Sequence, residues 1–376
     1  MLALAESVLL YLLITVVTCM WAAKVKRDGT IAYMPDGRRS AGSLLNRIYL
    51  VGIFTVLFLC SALRFNVGND YEQYTKTAHE AFVGGYVVTE AGFNYLVRIV
   101  YTIFGGEYYE IVFAIFALAT LIIFLKALYE QSGDFALAFF LFMTLGLYFQ
   151  TFNTVRYYLA LGMALYSMRY VLRKDLLKFL LWIAVAALFH KSVLLVIPVY
   201  LLANCRWKKW YVIAGGLFSV LCFVGHDYVL ALALKLYPSY VNTSFLQGEK
   251  NPLGLVRTVA ILLFYLWCIK KEPKIKENRE ISLYAKLNLI ALSAYVFFSF
   301  LPNASRLAYY FSVTQLLMIP KLLRELSDEK IRKWARILII LAYVCNFALF
   351  LYKAGGDGVK LIPYHSWLFE NRFTYK

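Results

Sequence analysis

Apolar runs of about 17–25 residues, the length that crosses a hydrocarbon core, recur from Leu2 to Tyr352 with short polar breaks between them. The pattern predicts helices near 2–23, 46–63, 108–126, 135–151, 155–172, 176–189, 192–204, 209–225, 254–270, 285–301, 306–320 and 335–352. That is about twelve transmembrane helices in a single transmembrane domain, 1–376, and an all-α polytopic membrane protein. The first run, Leu2 to Ala23, has no basic residue before it and Lys24, Lys26 and Arg27 after it. This is the reverse of a cleavable signal peptide and predicts a retained span. Gly92 to Phe104 is short for a span and carries Arg98 in its middle. It is expected to be a re-entrant or interfacial helix.

Composition agrees, with 61% hydrophobic and 16% charged residues against roughly 45–50% and about 25% in soluble domains. The formal charge of +17 would suggest nucleic-acid binding in a soluble protein. Here roughly two-thirds of the Lys and Arg residues fall in alternate breaks, which the positive-inside rule makes cytoplasmic. Both termini and the longest non-spanning pieces, 64–91, 226–254 and the tail 353–376, are then expected outside. The six cysteines stand singly in apolar runs, with no CxxC pair and no metal-ligand spacing, and read as small packing residues. Many of the 30 Tyr, 29 Phe and 7 Trp sit at span ends, where amphipathic rings prefer the headgroup level.

Because inner loops collect basic residues by default, the informative cations are on the outer side: Arg64, Arg98, Arg156, Lys191, Arg257 and Arg306. Each alone is accounted for by snorkelling to the interface. Together they can converge on one anion, and the planar fork of arginine suits phosphate. Asp70 and Tyr71 follow Arg64 through Gly68, whose freedom permits a turn that folds the carboxylate back towards the arginine. His190 lies between two closely spaced apolar runs expected to form a helical hairpin; it reads either as a structural histidine or as a proton handler. His226-Asp227 and His365 have weaker context. Asn153 and Arg156 share a helical face, as do Arg306 and Tyr309. There is no DxD, HxxxH, HExxH, Walker loop or GxSxG, so nucleotide hydrolases, zinc hydrolases and serine hydrolases lack their minimal parts. No metal or other cofactor is expected.

The string Arg64…Gly68-Asn69-Asp70-Tyr71…Tyr74, then Glu90-Ala91-Gly92-Phe93, Asn153-Thr154-Val155-Arg156, Phe189-His190-Lys191-Ser192, Arg306…Tyr309-Tyr310-Phe311 and Pro363-Tyr364 resembles the EpsG-like family of Wzy-type polysaccharide polymerases. The likeness runs over about Arg64 to Tyr364. One departure is Tyr157, where the family often has glutamine after the arginine of the fifth span. The resemblance implies a GT-C-like glycosyltransferase, an exopolysaccharide, O-antigen or capsule polymerase in the bacterial cytoplasmic (inner) membrane. Such an enzyme transfers a growing glycan from undecaprenyl diphosphate to a hydroxyl of the next lipid-linked repeat unit at the outer face, without a metal. A flippase and a chain-length regulator are implied partners. Developing negative charge on the leaving diphosphate gives convergent arginines a role. Arg156 and Arg306, then Arg64 and Arg257, are the expected diphosphate ligands.

For the base, a histidine ordinarily titrates near ~6.5 and an aspartate near ~3.9, which favours His190 over Asp70 at neutral pH. Asp70 is then free to orient the acceptor or an arginine. Asn153, Tyr71, Tyr74, Tyr309 and Tyr364 are the expected substrate-binding side chains. Two rival activities share much of this pattern. A lipid-linked glycan flippase or transporter would place charges near the bilayer midplane and show two related halves. An O-antigen-type ligase would use the same donor and differ only in its acceptor. A purely structural membrane scaffold is the third reading, against which the outer cations stand.

Overall fold

The computed structural model describes residues 4–26, 41–87, 89–236, 248, 250–356 and 359–368. The elements are α1 (Leu4–Lys24), α2 (Ala41–Ala62), α3 (Tyr71–Val83), α4 (Ala91–Phe104), α5 (Tyr109–Gln131), α6 (Phe135–Thr144), α7 (Leu147–Gln150), α8 (Val155–Arg173) and α9 (Leu176–Ala187). A 3₁₀ turn (Lys191–Leu195) follows, then α10 (Val196–Asn204), α11 (Lys209–Val224), α12 (His226–Leu236), α13 (Pro252–Lys271), α14 (Arg279–Phe297), α15 (Ala304–Ser312), α16 (Gln315–Glu325) and α17 (Glu329–Lys353). Among the described residues there is no strand, and one isolated antiparallel bridge joins Arg64 to Ser366.

Among the described residues five helices, α1, α2, α5, α13 and α17, are long and apolar enough to cross a membrane. A sixth span results if α11 and α12, bent by 84° at Gly225, count as one. The chain is therefore a multi-pass membrane protein. Several runs read as single spans are interrupted. The 135–151 run breaks between α6 and α7 at Gly146, which has φ +72° and whose absent Cβ would lie 2.6 Å from the Phe350 ring. The 306–320 run breaks between α15 and α16. Conversely, α12 occupies the start of the stretch read as the 226–254 loop, and α3 occupies much of 64–91. Residues 237–247 and 249, the tail beyond Leu368 and residues 27–40 of the first basic break lie outside the described residues.

The described residues fall into two compact units: 1–166 with 188–190 and 333–376, and 167–187 with 191–332. In the first, apolar helices surrounded by lipid gain little from apolar contact alone, so close packing and hydrogen bonds must hold them. Three tyrosine hydroxyls supply such bonds by donating to main-chain carbonyls: Tyr11 to Leu361 (2.7 Å), Tyr148 to Leu57 (2.7 Å) and Tyr364 to Cys60 (2.8 Å). The bridge at Arg64 adds Phe65 N donating to the His365 carbonyl and Trp367 N to that of Leu63. These bonds tie 359–368 to the end of α2. The α4 segment is a 14-residue helix, too short to span, and Arg98 Nε donates to the Ala81 carbonyl of α3 (2.8 Å).

The second unit is held by a buried amide network. Gln315 Nε2 donates to Asn288 Oδ1 (2.8 Å) and Thr258 Oγ1 (3.4 Å), and Asn288 Nδ2 donates to the Tyr284 carbonyl (2.8 Å) and Thr314 Oγ1 (3.2 Å). It joins α13, α14 and α16. Tyr200 donates to the Tyr310 carbonyl (2.9 Å) and fixes α15 against α10.

Candidate functional site

The site is built at the start of α8. Its approach, Thr151–Thr154, packs against the loop 66–70, and the contact has a steric cause. Gly68 has φ +104°, and a Cβ there would lie 2.5 Å from the Phe152 carbonyl oxygen. Only glycine meets both conditions. Asn69 N then donates to Asn153 Oδ1 (2.7 Å), and Thr154 Oγ1 donates to Asp70 Oδ2 (3.1 Å). The turn expected at Gly68 is present, but it carries Asp70 onto Thr154 and not back to Arg64. Gly68→Ala is expected to destabilise the protein by more than about 1 kcal/mol through strained backbone and lost contact. Thermal unfolding in detergent checks this; a wild-type Tm would show that the loop does not require glycine.

Arg156 follows on the first turn of α8. Its Nη1 pairs with Glu90 Oε2, and both side chains are largely buried (17% and 14% exposed). The guanidinium lies 5.5 Å from the Tyr74 ring centroid and 5.6 Å from that of Phe93. Rings from α3 and α4 therefore fix its direction, and cation–π attraction adds to the ion pair. The other Glu90 oxygen, Oε1, is 3.8 Å from His190 Nδ1. His190 reaches this place because Gly92 N donates to the Leu188 carbonyl (2.8 Å), where a Cβ on Gly92 would lie 2.6 Å from that oxygen. The glycines in the 68–71 and 90–93 motifs thus serve close backbone approach.

Tyr157, the residue that departs from the family pattern, is buried, and its ring lies perpendicular to that of His190 at 5.5 Å. Tyr71 and Tyr74 are also buried, Tyr71 stacked on Phe113 at 4.7 Å. Arg64 is only 2% exposed and lies 4.9 Å and 5.2 Å from the ring centroids of Phe113 and Phe152. Its Nη1 donates to the Ser61 carbonyl, and it makes no ion pair among the described residues. Burial lowers its pKa from the ordinary arginine value, opposed by Tyr71 and Tyr364. Tyr364 is buried beside the end of α2, its hydroxyl committed to Cys60.

The remaining residues singled out from sequence belong to the second unit. Arg257 of α13 lies 6.0 Å from the Tyr309 ring of α15, the helix that also carries Arg306 near its start. Tyr310 is buried and shares a 3.1 Å hydrogen bond with Ser192. Lys191 is exposed at the start of the 3₁₀ turn. His226 is 3.3 Å from the exposed Asp227 carboxylate. Among the described residues no group of three or more His, Cys, Asp or Glu side chains is placed to hold a metal ion.

Two residues that sequence reasoning gave no role are central here. Glu90 precedes α4, where a carboxylate ordinarily reads as an N-cap. It makes no side-chain cap bond and reaches Arg156 instead. Thr154 has no sequence signal beyond its neighbours.

These features define a class: a multi-pass, all-helical membrane protein with a largely buried arginine–glutamate–histidine cluster at the head of one helix. The model of the EpsG family matches residues 47–366, and the chain belongs to that family, the EpsG-like Wzy-type polymerases. It is a polysaccharide polymerase-like membrane protein. No curated protein and no solved structure matches it.

Proposed function

We propose that the chain is a glycosyltransferase that lengthens a polysaccharide by moving the growing glycan from undecaprenyl diphosphate to a hydroxyl of the next lipid-linked repeat unit. The observation that carries the reading is the cluster of Glu90, Arg156 and His190 beside the Asp70 loop. It offers a cation for a phosphate and an imidazole for a proton within one small volume. The acceptor oxygen attacks the anomeric carbon and forms the new glycosidic bond. The bond from that carbon to the diphosphate oxygen breaks, and the lipid diphosphate leaves as an anion. His190 takes the hydroxyl proton through Nε2, since Nδ1 faces Glu90. Arg156 stabilises the charge that develops on the leaving group, the role a metal ion has in other phosphate chemistry.

On this reading the helices make about twelve crossings in a GT-C-like architecture, the shorter ones completed by their neighbours across breaks such as Gly146. The charge bias along the sequence orients both termini and the site to the outer face of the cytoplasmic membrane. A flippase would deliver the substrate there, and a chain-length regulator is the expected partner. Asn153 and Asp70 border the cluster as acceptor-side groups. Arg257, Arg306 and Tyr309 are the phosphate and sugar ligands proposed for the second unit.

The test is incubation of purified protein with a defined undecaprenyl-diphosphate repeat unit, with and without chelator. A ladder of products in both is expected. A single transfer to a different acceptor would indicate a ligase, and substrate movement across vesicles without new bonds would indicate a flippase. Loss of the ladder with chelator would overturn the metal-independent mechanism.

A further inference from the structure

The Glu90 carboxylate lies where the proposed mechanism requires a substrate anion. It heads α4 with an extended backbone, yet its side chain makes no cap bond to its own helix. One oxygen pairs with Arg156, and the other stops 3.8 Å from His190 Nδ1, beyond hydrogen-bond length. Arg156 lies against both the Tyr74 and Phe93 rings, so the pair parts most readily by movement of the carboxylate. Resting on the lipid-diphosphate reading above, we propose that Glu90 is a displaceable counter-ion, holding Arg156 until the donor diphosphate takes it and then passing to His190.

The exchange follows from charge. A diphosphate carries more negative charge than a carboxylate and matches the guanidinium fork in two bonds. It therefore displaces Glu90 from Arg156. A buried carboxylate that loses its arginine is destabilised, and His190 Nδ1 already stands 3.8 Å from its other oxygen. As His190 accepts the acceptor's proton it becomes a cation, which Glu90 then stabilises and orients. Donor binding and readiness of the base are linked through one side chain. Glu90 touches neither substrate and is a positioning residue.

This predicts opposite effects on binding and turnover, which a merely structural role does not produce. With the full-length protein in nanodiscs, Glu90→Gln removes the competing charge. Its Kd for undecaprenyl diphosphate, the probe used, should fall about tenfold, while kcat for ladder formation falls about a hundredfold. Glu90→Asp keeps the charge on a shorter arm and should lie between wild type and Glu90→Gln in both quantities. The tighter binding should disappear in Glu90→Gln combined with Arg156→Ala.

Equal or weaker binding by Glu90→Gln would overturn the proposal. If that variant does not fold, binding by Glu90→Asp no tighter than wild type would do the same. A wild-type protein that makes no ladder sinks the polymerase reading, while the binding series still judges Glu90 by itself.

Discussion

Arg156→Ala is expected to leave the protein in the membrane but to stop polymer growth, with product formation reduced about 10²–10³-fold, the cost of removing one preorganised charge stabiliser from a transition state. The substitution has a second effect that must be separated from the first. It leaves Glu90 buried without its cation, which costs about 3–5 kcal/mol when one partner of a buried pair is removed. The single variant should therefore be inactive and also less stable. Adding Glu90→Gln should return Tm towards wild type and leave activity absent. Arg156→Lys should recover little, because an ammonium lacks the planar fork and packs less well against Tyr74 and Phe93. Product ladders on gels and thermal unfolding of the same preparations check both effects. Wild-type chain lengths in Arg156→Ala would end the diphosphate role. Arg306→Ala is the corresponding variant for the arginines of the second unit.

The sequence carried the membrane class more fully than the helix count, and the reason is physical. Hydropathy sums apolar residues along a run without sensing where the backbone turns. It therefore finds α1, α2, α5, α13 and α17, whose ends coincide with changes in composition. It passes over the break at Gly146, which depends on a positive φ and on the Phe350 ring of a distant helix. The helix α3 is legible in hindsight from buried Tyr71, Tyr74, Ala78 and Ala81, spaced at three and four residues. Its polar remainder made the stretch read as a loop.

The candidate site divides in the same way. Gly68, Asn153 and Arg156 could be singled out because short motifs and helical spacing place them. The partner of Arg156 could not, because Glu90 lies 66 residues away along the chain and its contact exists only once the residue before α4 reaches the first turn of α8. Arg64 is the converse case. Its charge beside a span end suggested an accessible anion ligand, but the side chain is buried against two aromatic rings. A cation-bearing motif says little about exposure when the side chain has aromatic faces to lie on.

His190→Ala tests the other half of the mechanism. Its expected result is a fall in turnover of about 10²–10⁴-fold, the usual contribution of a general base, with the affinity for the lipid-linked donor falling by no more than about tenfold, because the displaced Glu90 loses the group that receives it. The prediction is asymmetric because His190 faces Glu90 through Nδ1 and packs perpendicular to the Tyr157 ring, whereas the phosphate is assigned to Arg156. Removing the imidazole takes away the proton acceptor and leaves the cation in place. Single-turnover measurements with prebound donor separate the two quantities. Loss of donor binding in step with loss of turnover would make His190 part of the phosphate site. If His190→Ala keeps most of its activity, the proton must go elsewhere, and Asp70 is the next group to replace: its carboxylate accepts from Thr154 at the head of the same helix as Arg156, so Asp70→Asn would then be expected to show the full loss.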